Sequence, residues 1–243
     1  MGAFSFESRV LPNATRAATN RLLSKLPPKD RSRLISACTP VDLAFEERVA
    51  EAGGSIAHVY FPIGGYFSLL QPIDGATIEV ALAGDEGMFG WALNAGVATS
   101  NVQALVQGAG PALRLSPRAF QRQLKLSEPL RKLIGRYTYV LMTQFAQTVA
   151  CNRFHVVEQR LARWLLMTAD RAHSDNFRIT QEFLANMLGV RRAGVNKAAG
   201  QLQGRGLIRY KRGSLAILDR PGLERAACEC YRINLETYSS VLG

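Results

Sequence analysis

The chain has 243 residues, 47% of them hydrophobic and 20% charged, and carries a formal net charge of +11. That length allows two domains with cores of their own, and that composition excludes a disordered chain. The basic balance implies an anionic partner, either nucleic acid or a membrane surface.

Two uncharged segments, 52–73 and 87–113, test the membrane reading. The first is broken by Pro62, Gly64, Gly65 and Pro72 and the second by five glycines, so neither is a sustained apolar helix. The opening stretch MGAFSFESRV lacks the cationic and apolar regions of a signal peptide, and a cytoplasmic protein is expected. In such a chain Cys38, Cys151, Cys228 and Cys230 read as reduced thiols. Cys228-x-Cys230 has no second pair to complete a metal site, so no metal is expected; whether the pair has a redox role stays open.

In chain order, residues 15–37 read as two short helices broken at Pro27-Pro28, where backbone donors vanish. From about 40 to 116 short β-rich runs follow, among them AHVYF, YFSLLQPI, TIEVALA, VQALVQ and ALRLS. Turn signals at Gly64-Gly65, Asp74-Gly75, Gly84-Asp85 and Gly108–Gly110 separate them, the texture of a roll or barrel. Residues 130–151 then place Leu130, Leu133, Ile134, Tyr137, Val140, Leu141, Gln144, Phe145 and Thr148 at spacings of three and four. This is a long amphipathic helix. Its length favours a dimer seam over a core helix packed on its own domain. Residues 155–172 form a further apolar-striped helix, ended by HSDNF.

The last unit carries the most specific signal. Thr180 is placed to cap QEFLANMLG. Ala185 is small enough for two helices to cross, Gly189 follows four residues later at a tight turn, and Val195 points back six residues further on. That spacing is the internal geometry of a helix-turn-helix. GLIRYKRGSLAIL then supplies a β-hairpin turning at Lys211-Arg212-Gly213, which makes the unit a winged helix. Residues 174–225 hold ten basic against four acidic residues, and the second helix, 191–203, has positive charges only.

A roll, a long helix and a winged helix in this order resemble the Crp/Fnr family of bacterial transcription regulators. The roll motifs FPIGGYFSLL and GDEGMFG and the stretch ITQEFLANMLGVRRAGVNKAAGQLQGRGLI carry the resemblance. It implies an α+β chain in three parts. Residues 1–127 would form a cyclic-nucleotide-binding-like β-roll (a double-stranded jelly roll) with N-terminal helices, and 128–153 a dimerisation helix. Residues 154–243 would form a winged-helix domain, with the helix-turn-helix at about 181–203 and the wing at about 207–218. It further implies a homodimer on double-stranded DNA with a two-fold-related site, acting at the nucleoid, and it leaves RNA polymerase open as a partner.

On this resemblance Arg192 takes the position whose Arg donates twice to guanine O6 and N7. Arg191 would reach phosphate or a base edge, with Asn196 and Lys197 one turn on and Gln201 further along. Thr180 and Gln181 suit a backbone phosphate, as do Lys211 and Arg212 at the wing tip. Ala193-Gly194 departs from the family, many of whose members contact bases here through polar side chains. A different or less strictly read half-site is expected.

The roll's ligand is unknown. Ala98 and Thr99 stand where the family's nucleotide binders carry an Arg-Ser pair. Independently of that register, no Lys or Arg occurs from 49 to 113, while Glu51, Asp74, Glu79, Asp85 and Glu86 do. A buried phosphate without a cation is costly, so no cyclic nucleotide and no other cofactor is expected. Cys38 alone does not make an early iron–sulfur cluster, and His58 in an apolar strand reads as a hydrogen-bonded core residue. Two rival readings remain. A metal-dependent β-roll enzyme would need convergent ligands that three scattered histidines (His58, His155, His173) do not supply, and the common catalytic motifs are absent. A non-specific architectural DNA-binding protein would share the charge pattern.

Overall fold

The computed structural model describes residues 19–243; the part of the first predicted helix at 15–18 lies outside them. After one turn, α1 (Arg21–Ser24), helix α2 (Pro28–Ser36) begins on Pro28, where the missing amide costs nothing. Buried Asn20 ties this segment down: its Oδ1 accepts from the Leu23 amide, and its Nδ2 donates to the Pro62 and Gly87 carbonyls at 2.8 Å.

The roll is made of β1 (Thr39–Leu43), β2 (Arg48–Ala50), β3 (Val59–Pro62), β4 (Tyr66–Ile73), β5 (Ala76–Ala83), β6 (Gln103–Gly108) and β7 (Gly110–Leu115). They form two antiparallel sheets, ordered β1-β7-β3 and β2-β6-β4-β5. Phe61, Phe67, Phe89 and Leu69 fill their shared core. The predicted Asp74-Gly75 turn joins β4 to β5 with φ of 47° and 78°, a left-handed pair that matches the twist of the flanking strands. His58 is a difference from expectation: it precedes β3, is half-buried, and sets its ring edge-on to Tyr60.

Helix α3 (Pro117–Leu126) leads into α4 (Glu128–Phe154), capped by the Ser127 hydroxyl. The predicted dimer seam packs inside the chain instead. Leu130, Leu133, Ile134, Tyr137, Val140 and Leu141 are buried in the roll's core, with Phe145 packed against it. Tyr137 Oη donates to the Met88 carbonyl at 3.0 Å, and its ring lies so close over Gly87 that no Cβ fits there. Gln144 closes the open edge of β5, its Oε1 accepting from the Leu82 amide at 2.8 Å, while Thr148 accepts from Arg163 of the next helix. On the opposite face Tyr139, Met142 and Val149 are 59%, 63% and 69% exposed.

The remainder comprises α5 (Val157–Ala172), β8 (Asn176–Arg178), α6 (Gln181–Leu188), α7 (Arg192–Gly204), β9 (Ile208–Lys211), β10 (Ser214–Ile217), α8 (Arg220–Ala226) and α9 (Cys230–Leu242). The last helix returns along α4, buries Leu242 in the roll's core, and donates from Tyr238 Oη to the Glu86 carbonyl. Cys228 and Cys230, expected to stand alone, are joined by Cys151 and His155 from the end of α4. No helix among the described residues is long and apolar enough to cross a membrane.

Ion pairs hold the 84–86 loop to its neighbours. Arg21 binds both Asp85 oxygens at 2.9 Å, and Arg171 of α5 binds Glu86 at 2.8 Å. Glu79 has a different environment. It is fully buried between the roll and α5, where Trp164 Nε1 donates to its Oε1 at 2.8 Å and its Oε2 lies 2.6 Å from Ser68 Oγ. The Gln107 amide also abuts the Ser68 hydroxyl. Burial pushes the Glu79 carboxyl from its ordinary 4.5 up to about 7, against the opposing hydrogen bonds from Ser68 and Trp164.

Between those two values the folded chain binds the extra proton, so Glu79 lowers stability as pH rises through the window. Glu79→Gln should therefore gain stability relative to the parent between about pH 4.5 and about pH 8, by up to ~3 kcal/mol at ~1.36 kcal/mol per pH unit. Thermal melts of both proteins across that range check this; a constant difference would reject the protonated buried carboxyl.

Candidate nucleic-acid interface

Helix α6 starts where its cap predicts: Thr180 Oγ1 accepts from the Phe183 amide at 3.1 Å. It stops at Gly189, whose φ of +60° ends the helix in a left-handed turn. A Cβ there would lie 2.7 Å from Ile78 Cδ1, because the turn is pressed against β5. Leu184, Ala185, Leu188 and Val195 are all buried between α6 and α7, as the spacing requires. Tyr210 anchors the wing, donating from Oη to the Ile179 carbonyl at 2.9 Å. Arg212 and Gly213 form its two-residue turn at φ of 50° and 76°.

The predicted contact residues stand on or at the ends of α6, α7 and the wing. Arg191, Arg192, Asn196, Lys197, Gln201, Lys211, Arg212 and Thr180 are exposed, and Gln181 is half-buried. Arg191 is the residue just outside α7, and Arg192 opens it. The Gln181 side chain accepts from Arg192 Nε at 3.3 Å, so α6 aims the guanidinium.

Successive residues turn about 100° around a helix. Measured from buried Val195, Ala198, Ala199 and Leu202, the middle of the outer face falls to Ala193, Lys197, Gly200 and Gly204, flanked by Asn196 and Gln201. That face is nearly smooth. A Cβ on Gly200 would meet nothing within 4 Å, and one on Gly194 only Val190 at 4.0 Å, so neither glycine is demanded by packing.

Charge sharpens the picture beyond a count. Arg205 is tied to Glu158 at 2.8 Å, and Arg220 to Asp170, Glu224 and Asp175. The other eight cations of 174–225 form no salt bridge among the described residues, and all eight are exposed. Arg178 and Arg209, on β8 and β9, belong to this set. Sequence counting includes them, but nothing in their spacing marks them as contact residues.

In the roll, a cleft of about 560 Å³ opens between the sheet ends and α4. Thr99, Asn94, Trp91, Gly135 and Thr138 are among its lining residues, none of which is charged. Arg21 and Arg171 do reach the roll from outside, but Asp85 and Glu86 hold them.

A family profile for the Crp-like helix-turn-helix domain matches residues 159–226. No curated protein matches the chain by sequence. Among solved structures, the c-di-GMP-responsive global regulator of Xanthomonas campestris is similar over 79% of this chain and 99% of its own, at 16% identity and a TM-score of 0.65. Two CRP-type transcriptional regulators from Thermus thermophilus are also similar. One has 23% identity, 77% and 96% coverage and a TM-score of 0.64. The other has 19% identity, 78% and 98% coverage and a TM-score of 0.64. At such identities the likeness establishes the fold. Residues 159–226 are a Crp-like helix-turn-helix domain, and the chain that carries them has the architecture of the Crp/Fnr transcription regulators.

Proposed function

We propose that this chain is a homodimeric, sequence-specific DNA-binding transcription regulator, not an enzyme, and that it is not controlled by cyclic nucleotide in the manner common to its fold. The observation that carries the reading is the winged-helix unit at 174–225, where eight exposed cations, seven of them on or beside α7, β8 and the β9–β10 hairpin, stand without a salt bridge among the described residues. Phosphates are the natural counter-charge to such a surface. Arg192, aimed by Gln181, suits the major-groove edge of guanine, and Lys211 and Arg212 suit the flanking backbone.

The free face of α4 supports the dimer. Tyr139, Met142 and Val149 follow one another at three and seven residues, and exposed Gly135 lies four residues before them with open space at its Cβ. An apolar stripe with a small residue suits a second copy of the same helix. The uncharged cleft in the roll supports the second part, because a cyclic nucleotide's phosphate would find no cation there.

The smooth outer face of α7 favours one alternative, a protein that coats DNA without reading it. Salt-titrated binding separates the two. Either protein should lose about 0.9 in the slope of log K against log salt per phosphate contact. Only the regulator should keep a preference of roughly 10³ or more for its own sites.

Arg192→Ala should erode that preference by about 1–3 kcal/mol, while Lys211→Ala should weaken native and random DNA alike. Equal losses on both for Arg192→Ala would remove Arg192 from base reading. Met142→Asp should yield monomers in sedimentation and abolish tight binding to two-fold sites; an unchanged dimer would place the interface elsewhere. Titration calorimetry with cyclic AMP and cyclic GMP should register no micromolar binding, and a micromolar signal from either would overturn the reading of the roll.

A further inference from the structure

Four side chains that the DNA-binding surface does not use meet at the junction of α4, α5 and α9. Cys151 lies in the last turn of α4, and His155 follows four residues later at its C-cap, on the same face of the helix. Cys228 stands in the link between α8 and α9, and Cys230 is the first residue of α9. Cys151 Sγ is 3.5 Å from Cys228 Sγ, and Cys230 Sγ is 3.4 Å from His155 Nδ1. All four candidate ligand atoms lie within 4.8 Å of one another.

Those separations have a chemical meaning. A tetrahedral ion with sulfur at about 2.3 Å and nitrogen at about 2.0–2.1 Å sets its ligands about 3.8 Å apart between sulfurs and about 3.6 Å between sulfur and nitrogen. The cluster is already close to that size. Two or more irons with bridging sulfides would need the ligand atoms spread farther, so the geometry selects one ion over an iron–sulfur cluster. The cysteines are buried and, with His155, supply four ligands, the number that fills a closed structural site with no open position.

A packed trio of core cysteines would explain the burial but not the surroundings. The His155 ring nitrogen faces a thiol, and Gln147 Nε2 donates to Cys230 Sγ at 3.0 Å, as outer partners of metal-bound thiolates do. Arg160 and Arg163 of α5 are buried beside the cluster. Neither forms a salt bridge among the described residues, and each leaves its Nε without a hydrogen-bond partner. Arg163 is close enough for its charge to act on Cys151, and Cys151 and Cys228 act in turn on Arg160. Three thiolates around a divalent ion carry one net negative charge, and these two unpaired guanidinium groups are placed to offset it.

We propose that Cys151, His155, Cys228 and Cys230 bind a single thiophilic divalent cation in tetrahedral geometry, with Zn²⁺ as the best match. The ion staples the end of α4 to the start of α9. Since α9 runs back to bury Leu242 in the roll, the staple locks the winged-helix unit to the rest of the chain. The ligands bind as thiolates and neutral imidazole, so each ion taken up releases protons to solvent.

The test uses the full-length protein without DNA, so its outcome is independent of the regulatory reading. Metal-free protein prepared with chelator and reductant is titrated with Co²⁺. The expected result is one equivalent per chain, with the ligand-field bands of tetrahedral cobalt and a near-ultraviolet thiolate charge-transfer band, both bleached by Zn²⁺. Cys228→Ser and His155→Ala should each lose that spectrum, Cys38→Ser should keep it, and circular dichroism should show the variants folded. If Cys228→Ser does not fold, Gln147→Ala serves, with an expected loss of about 10- to 100-fold in Co²⁺ affinity. Three results would overturn the proposal: no stoichiometric binding by folded parent protein, a cobalt spectrum without thiolate charge transfer, or a Cys151–Cys228 disulfide in metal-free protein isolated under reducing conditions.

Discussion

An edge strand exposes a row of backbone donors and acceptors that must be satisfied by something other than another strand, and β5 is the outer strand of the four-stranded sheet. Three parts of the chain cover that strand, the first through its backbone and the others through its side chains. Gln144 of α4 brackets Leu82 with its amide, Trp164 of α5 reaches Glu79, and the turn at Gly189 sits on Ile78. The relation of the roll, the long helix and the winged helix follows from how one strand is covered. The glycine that the helix-turn-helix requires for its left-handed turn is also what lets that turn approach the strand.

Two groups of cations differ in what holds them. Arg21, Arg171, Arg205 and Arg220 are held by carboxylates and join elements to one another. The cations of α7, β8, β9 and the wing tip are exposed and form no salt bridge among the described residues. The exposed pairs of the first group are worth only about 0–1 kcal/mol each, whereas Arg171 and Glu86 are both nearly buried and removing either would leave an uncompensated charge. The first group as a whole neutralises charge at the 84–86 loop and α5 while the wing and α7 stay positive. Glu79 contributes no fixed charge to that field at acidic pH, since its buried carboxyl holds a proton up to about 7.

Helix α4 shows where periodicity stops being informative. Its apolar positions are spaced at three and four, and that spacing identifies the element and its buried face, but it does not name what covers the face. The covering turned out to be the roll, α5 and α9 of the same chain. The outward stripe of Tyr139, Met142 and Val149 is thinner and was masked by the stronger one. The cysteines posed the same difficulty in sharper form: Cys151 and Cys228 are 77 residues apart, and no local pattern joins them.

What the sequence by itself determined is what depends on neighbours along the chain. The cap at Thr180, the turn at Gly189, the left-handed hairpin pairs at 74–75 and 212–213, and the one-signed charge of α7 all follow from side chains acting within a few residues. Those local rules were enough to order the roll, long helix and winged helix and to assign the proposed DNA contacts to exposed positions of α6, α7 and the wing. The tertiary structure decided which face of α4 is free, which arginines are held, that Glu79 shares its site with Trp164 and Ser68, and that three cysteines and a histidine converge. Each of these depends on distances between segments far apart in sequence, and such distances are set by packing the whole chain.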